Sequence, residues 1–209
     1  NQVVFRRASR SPSEAGMGTT VVAVMFTPDA KHAIVGHVGD SRCYRVRAGS
    51  IAQLTTDHSL VSEVTEIAPW LSAEEVSQLP TNVITRALGM APDVVVDLLT
   101  TETRAGDLYL LCSDGLNGMI SDQEILEVCS AELSLDEVCD QLIQRANAAG
   151  GNDNTTVVLA RVEDRKDDED TLEDAAKPRR RQRTTQRAPE TANPATSARK
   201  PPRDDHGEQ

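Results

Sequence analysis

The chain has 209 residues and carries 33 acidic against 22 basic side chains, a formal net charge of −11. This length suits one domain with a buried core, and the acidic balance argues against a surface that neutralises nucleic-acid phosphates. No apolar run approaches the roughly 20 residues of a membrane span. The four cysteines form no Cys-x-x-Cys pair, which argues against zinc and disulfides and indicates a reducing compartment.

The composition changes near residue 163. Residues 163–209 hold five of the ten prolines, 12 acidic and 11 basic side chains, and one large apolar residue, Leu172. Such a segment buries too little apolar surface to offset its loss of conformational entropy. We therefore expect a folded domain over residues 1–162 and a disordered, charged, proline-containing tail over residues 163–209.

Six strands are predicted along the folded part from β-branched or apolar runs bounded by Gly, Asp or Pro. They span residues 19–26, 33–38, 43–46, 94–99, 108–112 and 155–162. The first three follow one another through tight turns, which favours antiparallel pairing.

Three capping boxes, each a Ser followed three residues later by Glu, predict helices that begin after Ser72, Ser121 and Ser134. The last of these helices should end at the glycine pair 150–151. Residues 59–87 read as helical but less apolar, interrupted by two prolines. The order of elements predicts an α+β fold, a sandwich of antiparallel sheets with helices outside.

Three aspartates are placed differently from the other acidic residues, most of which lie on polar helix faces. Asp40 and Asp114 each end an apolar strand, and Asp153 directly precedes the last strand. In antiparallel packing, the end of one strand and the start of its neighbour share a rim, so these side chains can converge. Rigid carboxylates at one rim suit Mg²⁺ or Mn²⁺. Aspartates that merely close turns would follow the same pattern, so both interpretations stay open from the residues alone.

Six motifs occur in an order that resembles metal-dependent protein phosphatases of the protein phosphatase 2C family, in particular its bacterial Ser/Thr branch. They are GMGTT (16–20), GHVGDSRCYR (36–45), LTTDHSLV (54–61), NVITRALG (82–89), GDLYLLCSDGL (106–116) and GGNDNTTVV (150–158). The resemblance implies a four-layer α-β-β-α sandwich with a di-manganese or di-magnesium centre. It also implies hydrolysis of phosphoserine and phosphothreonine in proteins, in opposition to Ser/Thr kinases.

Residue by residue, the resemblance assigns Asp114 and Asp153 to the metal centre. Asp40, together with Asp114, matches the pair that holds a third, looser metal. Residues 59–81 match the flap beside the active site. The resemblance further suggests that Ser41 and Arg42 order the loop behind Asp40, and that Asn154 braces the loop of Asp153.

One family motif is not found in this sequence. The family carries an Asp-Gly-x-Gly-Gly motif before its equivalent of GMGTT, and the Asp of that motif bridges both metals. The family's phosphate-binding Arg and proton-donating His lie in the same region. The single Asp-Gly pair of this chain is Asp114–Gly115. We therefore expect a partial catalytic domain that lacks its amino-terminal part and is inactive alone, with exposed edges at strands 21–26 and 157–162.

Two other classes remain as alternatives. A non-catalytic phosphatase-like binding module would explain the motifs, but its metal aspartates would be degraded, and here all three are intact. A metal-buffering or structural domain would leave GMGTT and NVITR unexplained. For the tail, the basic cluster at 179–187 is either a solvated linker or a docking patch for an acidic partner or membrane surface. We expect a monomeric, cytoplasmic protein without a membrane span in this chain.

Overall fold

The computed structural model describes residues 1–164, so most of the predicted tail lies outside the described residues. Within these residues, seven strands form two sheets, and six α-helices are present. The strands are β1 (Val21–Phe26), β2 (His32–Val38), β3 (Arg42–Arg47), β4 (Ser50–Gln53), β5 (Asp97–Glu102), β6 (Leu108–Cys112) and β7 (Val157–Arg161). The helices are α1 (Gln2–Arg10), α2 (Leu60–Ile67), α3 (Ala73–Ser77), α4 (Asp114–Asn117), α5 (Asp122–Cys129) and α6 (Leu135–Ala148), with a 3-10 turn at Pro12–Glu14.

The three-stranded sheet has the order β1-β2-β5, and both pairings are antiparallel. The predicted strand at 94–99 is wrong in its bounds, because β5 runs from Asp97 to Glu102. Pairing with β2 sets this register, with Asp97 opposite His37 and Glu102 opposite His32. The apolar run that suggested the strand lies partly before it. Exposed polar residues complete β5, which an edge strand tolerates.

The four-stranded sheet has the order β4-β3-β6-β7 and is also antiparallel throughout. The sequence patterns did not indicate β4 or the short helix α4. One side of this sheet packs against α4, α5 and α6 through a cluster that includes Tyr44, Leu110, Leu116, Ile125 and Leu142, all fully buried. Burying side chains of this size is the main stabilising contribution to such a layer.

The other side of the four-stranded sheet faces the three-stranded sheet. Cys43 and Tyr109 from one sheet pack with Ala33 and Val35 from the other. The ring of Phe26 also contacts the ring of Tyr109 edge-on, with 5.2 Å between the ring centroids. The predicted sandwich of antiparallel sheets with helices outside is thereby confirmed.

The three predicted capping boxes are all present, at Ser72–Glu75, Ser121–Glu124 and Ser134–Glu137. In each box the Ser hydroxyl accepts the backbone N–H of the Glu, and the Glu carboxylate accepts the backbone N–H of the Ser. Local sequence therefore fixes where these helices begin.

Both strands expected to have exposed edges do lie at sheet edges among the described residues: β1 borders one sheet and β7 the other. On the outer side of the three-stranded sheet, Met25 is 61% exposed and Leu98 is 73% exposed. Within the described part of the chain, no helix has both the length and the apolar character needed to cross a bilayer.

Candidate metal centre

The three predicted aspartates lie at one rim of the four-stranded sheet. Cys112, at the end of β6, is paired with Arg42, at the start of β3, and with Val157, at the start of β7. Asp114 follows that strand end by two residues, Asp40 precedes Arg42 by two, and Asp153 precedes Val157 by four. The sheet register therefore brings the three loops that carry these aspartates to the same end of the sandwich.

Asp40, Asp114 and Asp153 line one cavity of about 610 Å³ at this rim. Asp40 is half-buried, whereas Asp114 and Asp153 are exposed to solvent. Three asparagines, at positions 82, 117 and 152, also line the cavity. The lining thus includes carboxylate and amide side chains, whose oxygens are the ligand types that hard divalent cations prefer.

Close contact between two loops fixes the spacing of Asp114 and Asp153. The hydroxyl of Ser113 donates to the carbonyl of Asn154 at 3.0 Å, and the hydroxyl of Thr155 donates to the carbonyl of Gly115 at 2.9 Å. A Cβ atom at Gly115 would lie 2.5 Å from the Asn154 carbonyl oxygen, so only glycine fits there. The bracing that was predicted for Asn154 comes from its backbone carbonyl.

Burial and the nearby carboxylate of Asp114 both raise the pKa of Asp40 above its usual range. Two carboxylates that face one cavity repel each other, and a bound cation would relieve that repulsion. The donor set and this electrostatic strain therefore fit divalent cations at Asp40 and Asp114. Asp153, in the loop that contacts the Asp114 loop, adds a third carboxylate to the same cavity.

The loop around Asp40 is held from behind by its neighbours in the chain. The hydroxyl of Ser41 lies 2.9 Å from that of Thr20. Arg42 donates to Asp57 from Nε and Nη2, and to the hydroxyl of Tyr44 from Nη1 at 2.8 Å. Burial lowers the pKa of Arg42, but the bonds to Asp57 outweigh it and hold the guanidinium charged. These contacts support the structural role that the resemblance gave to Ser41 and Arg42.

The predicted flap at 59–81 contains α2 and α3. Its start is anchored, because the backbone N–H of Leu60 donates to the Val83 carbonyl and the N–H of Thr85 donates to the His58 carbonyl. Ser59, Val61, Ser62 and Thr81 line the aspartate cavity. The flap segment therefore forms one wall of the candidate site.

A second cluster of titratable residues lies beside this rim, and no sequence pattern predicted it. His37, His58 and Asp97 place their ligand atoms within 4.8 Å of one another, the one group of three that meets this limit among the described residues. The ligand atoms of the three aspartates do not all lie within this limit. The imidazole rings of His37 and His58 are stacked, with 4.6 Å between the ring centroids. His37 lies in the motif at 36–45 and His58 in the motif at 54–61. Their spacing in the sequence does not predict that they meet.

A family model described as Stage II sporulation protein E (SpoIIE) matches residues 1–163. The serine/threonine phosphatase stp of Listeria welshimeri is 38% identical over 144 residues, which are 69% of this chain and 56% of that protein. The chain therefore spans little more than half the length of this curated relative. The chain belongs to the SpoIIE family of PP2C-type phosphatase domains, which confirms the resemblance seen in the sequence.

Solved structures of bacterial phosphatases share the fold. The serine/threonine phosphatase of S. agalactiae is 40% identical with a TM-score of 0.71, and the match covers 78% of this chain and 67% of that one. The catalytic domain of the phosphatase PstP, solved in complex with two manganese ions, is 37% identical with a TM-score of 0.68. That match covers 78% of this chain and 66% of PstP.

Proposed function

We propose that the protein hydrolyses phosphoserine and phosphothreonine in other proteins, with Mn²⁺ or Mg²⁺ as cofactor, and that Asp40, Asp114 and Asp153 hold these ions. The observation that carries the proposal is the strand register, which brings all three aspartates to one cavity. The relatives named above are serine/threonine phosphatases. One of them binds two manganese ions.

When bound, two divalent cations lower the pKa of water and offset negative charge on the phosphoryl oxygens. The chain's own residues do the rest. Asp114 and Asp153 supply negative charge from opposite loops, and the Gly115–Asn154 contact keeps these loops at one spacing. Because both carboxylates are solvent-exposed, water and a phosphorylated side chain on a protein surface can reach them. Asp40, deeper in the wall, would hold the looser third ion.

Ser/Thr kinases and the proteins that they phosphorylate are the substrates that this proposal predicts. We also propose that residues 1–209 are inactive alone, since their single Asp-Gly pair is already part of the Asp114 loop. The same observation favours a second candidate, a phosphatase-like module that binds phosphoproteins without cleaving them. This second candidate predicts that the protein binds phosphopeptides even when Asp114 or Asp153 is replaced.

The test is phosphate release from a phosphothreonine peptide in Mn²⁺, with and without chelator. It compares residues 1–209 with the same residues preceded by an amino-terminal segment of a related phosphatase that carries the Asp-Gly-x-Gly-Gly motif. We expect release by the latter, loss with chelator, and a loss of about 100-fold or more in Asp114→Asn and Asp153→Asn, because each removes a charged ligand. Full activity in either variant would refute the ligand assignment. Peptide binding without release would establish the second candidate.

A further inference from the structure

His58 holds Gly39, the residue before Asp40, at two points. The backbone N–H of Gly39 donates to Nδ1 of His58 at 3.0 Å, and the backbone N–H of His58 donates to the Gly39 carbonyl at 3.0 Å. Gly39 has a φ of +110°, and a Cβ there would lie 2.3 Å from Cγ2 of Thr20. Any residue other than glycine at position 39 would therefore strain the backbone that leads to Asp40. The two hydrogen bonds to His58 also hold this backbone firmly.

The contact with Gly39 also sets the tautomer of His58. Because a backbone N–H can only donate, Nδ1 must carry a lone pair, and the ring proton lies on Nε2. Nε2 is 3.2 Å from Oδ2 of Asp97, which accepts that proton's hydrogen bond. Oδ1 of Asp97 accepts from Nη1 of Arg86 at 2.5 Å. A continuous chain of hydrogen bonds thus runs from Arg86 through Asp97 and His58 to Gly39.

A metal ion at His37, His58 and Asp97 would need the opposite arrangement. Ligation through Nε2 of His58 puts the ring proton on Nδ1, where it would face the N–H of Gly39. Two donors cannot bond to each other. The imidazole of His58, only 5% exposed and stacked on His37, instead has its orientation fixed from three sides.

We propose that His58 is a positioning residue for the metal centre: its Nδ1 holds the Gly39 amide so that Asp40 faces Asp114 across the cavity. The inference rests on the proposed function, since it treats Asp40 as a metal ligand. Asp97 and Arg86 act through His58 by keeping its proton on Nε2. The role is distinct from general stabilisation, because it depends on one acceptor atom at one place.

Two substitutions separate that acceptor from the rest of the side chain. In His58→Asn, the amide oxygen takes the place of Nδ1 and can accept the Gly39 N–H, while the contact with Asp97 is lost. In His58→Gln, the longer amide reaches towards Asp97 and leaves Gly39 without an acceptor. Both variants keep the backbone bond from residue 58 to the Gly39 carbonyl, so they form a matched pair.

The readout is Mn²⁺ binding to residues 1–209, followed by electron paramagnetic resonance, with Asp40→Asn as reference. We expect His58→Gln to weaken the Asp40-dependent site about tenfold or more, as Asp40→Asn does, and the double variant to be no weaker than Asp40→Asn. His58→Asn, which keeps an acceptor for the Gly39 N–H, should stay within about threefold of the parent. Equal losses in both His58 variants, or no loss in either, would overturn the inference while leaving the proposed function intact. If Asp40→Asn itself changes nothing, the metal assignment fails and the inference falls with it.

A measurement on the unaltered chain guards against a variant that does not fold. The ¹⁵N spectrum of the His58 ring should show an unprotonated Nδ1 and a protonated Nε2, and the Gly39 amide should exchange slowly with solvent. A protonated Nδ1 would overturn the inference, whatever the variants do.

Discussion

Arg42 and Asp57 form a two-point ion pair directly behind the loop of Asp40. Nε of Arg42 lies 2.9 Å from Oδ1 of Asp57, and Nη2 lies 2.7 Å from Oδ2. The side chains are 23% and 13% exposed. Paired planar groups of this kind fix orientation as well as charge. Asp57 sits next to His58 in the chain, so one short segment braces both flanks of Asp40.

Replacing Arg42 with Lys should destabilise the domain by about 1–3 kcal/mol, because Lys keeps the charge but not the paired geometry. Urea unfolding measures the change. The matched control is Arg145→Lys, whose partner Glu127 is 55% exposed, and exposed pairs contribute about 0–1 kcal/mol. Equal effects at the two sites would contradict a bracing role for Arg42.

A methyl group at Gly115 should push the Asp114 loop away from the Asp153 loop. The added Cβ meets the Asn154 carbonyl oxygen at 2.5 Å, so one loop must move. We expect Gly115→Ala to weaken Mn²⁺ binding about tenfold or more, measured by titration. Gly106→Asn is the control, since that site is open and asparagine tolerates its left-handed φ of +86°. Unchanged Mn²⁺ affinity in Gly115→Ala would show that loop spacing does not matter.

Asp107 should make the stability of the domain depend on pH in the acidic range. Its side chain is fully buried, and burial alone would raise its pKa. Hydrogen bonds from Arg47 and from the backbone of Arg104 outweigh burial and lower the pKa below its ordinary value of 3.8. A lowered pKa stabilises the folded state above the unfolded value, and this contribution is lost as pH falls through the folded value.

We therefore expect the free energy of unfolding of the parent chain to fall as pH drops below about 4. Asp107→Asn should be less stable than the parent at pH 7 by about 1–3 kcal/mol. Its free energy of unfolding should also fall less than that of the parent when the pH is lowered. Urea titrations at several pH values test this, with the exposed Asp140→Asn as control. Parallel pH profiles for the parent and Asp107→Asn would disprove the assignment.

Mn²⁺ should stabilise the domain against heat, because a ligand that binds the folded state alone shifts the equilibrium towards it. At a hundred times the dissociation constant the gain is about 2.7 kcal/mol, or roughly 5–10 °C in Tm. Chelator should reverse the shift, Asp114→Asn and Asp153→Asn should abolish it, and Asp40→Asn should reduce it less. A shift that survives in Asp114→Asn would place the ion elsewhere.

The outer side of the three-stranded sheet should bind a hydrophobic dye. Met25 and Leu98 are largely exposed there, and contiguous apolar surface of this kind is rare on an isolated domain. The double substitution Met25→Thr and Leu98→Thr should lower dye fluorescence while changing stability by no more than about 0.5 kcal/mol. Val158→Thr, at the edge of the other sheet, is the control. Unaltered fluorescence in the double variant would place the dye elsewhere.

The sequence predicted well those features that a few neighbouring residues decide. A Ser and a Glu three residues apart suffice to start a helix, so the helix starts at Ser72, Ser121 and Ser134 were all correct. Strand β6 was predicted to the residue, because Leu108–Cys112 is apolar on both sides and buried almost throughout.

Features decided by distant partners could not be predicted in this way. The bounds of β5 depend on its pairing with β2, whose paired residues lie 60 to 70 positions earlier in the chain. The approach of His58 to Asp97 spans 39 residues, and no local pattern marks it. The aspartate rim was predicted because antiparallel neighbours share their ends, and the observed register, with Cys112 opposite both Arg42 and Val157, places the three loops there. Whether these aspartates bind metal stays a prediction.

The most direct test of the metal centre is a crystal structure of the chain grown with Mn²⁺, using the anomalous scattering of manganese to locate the ion. The proposal predicts manganese peaks in the cavity, about 2.0–2.3 Å from carboxylate oxygens of Asp114 and Asp153, with a weaker peak between Asp40 and Asp114. Strong manganese peaks elsewhere, at His37 and His58 for example, with none at the aspartate rim would contradict it.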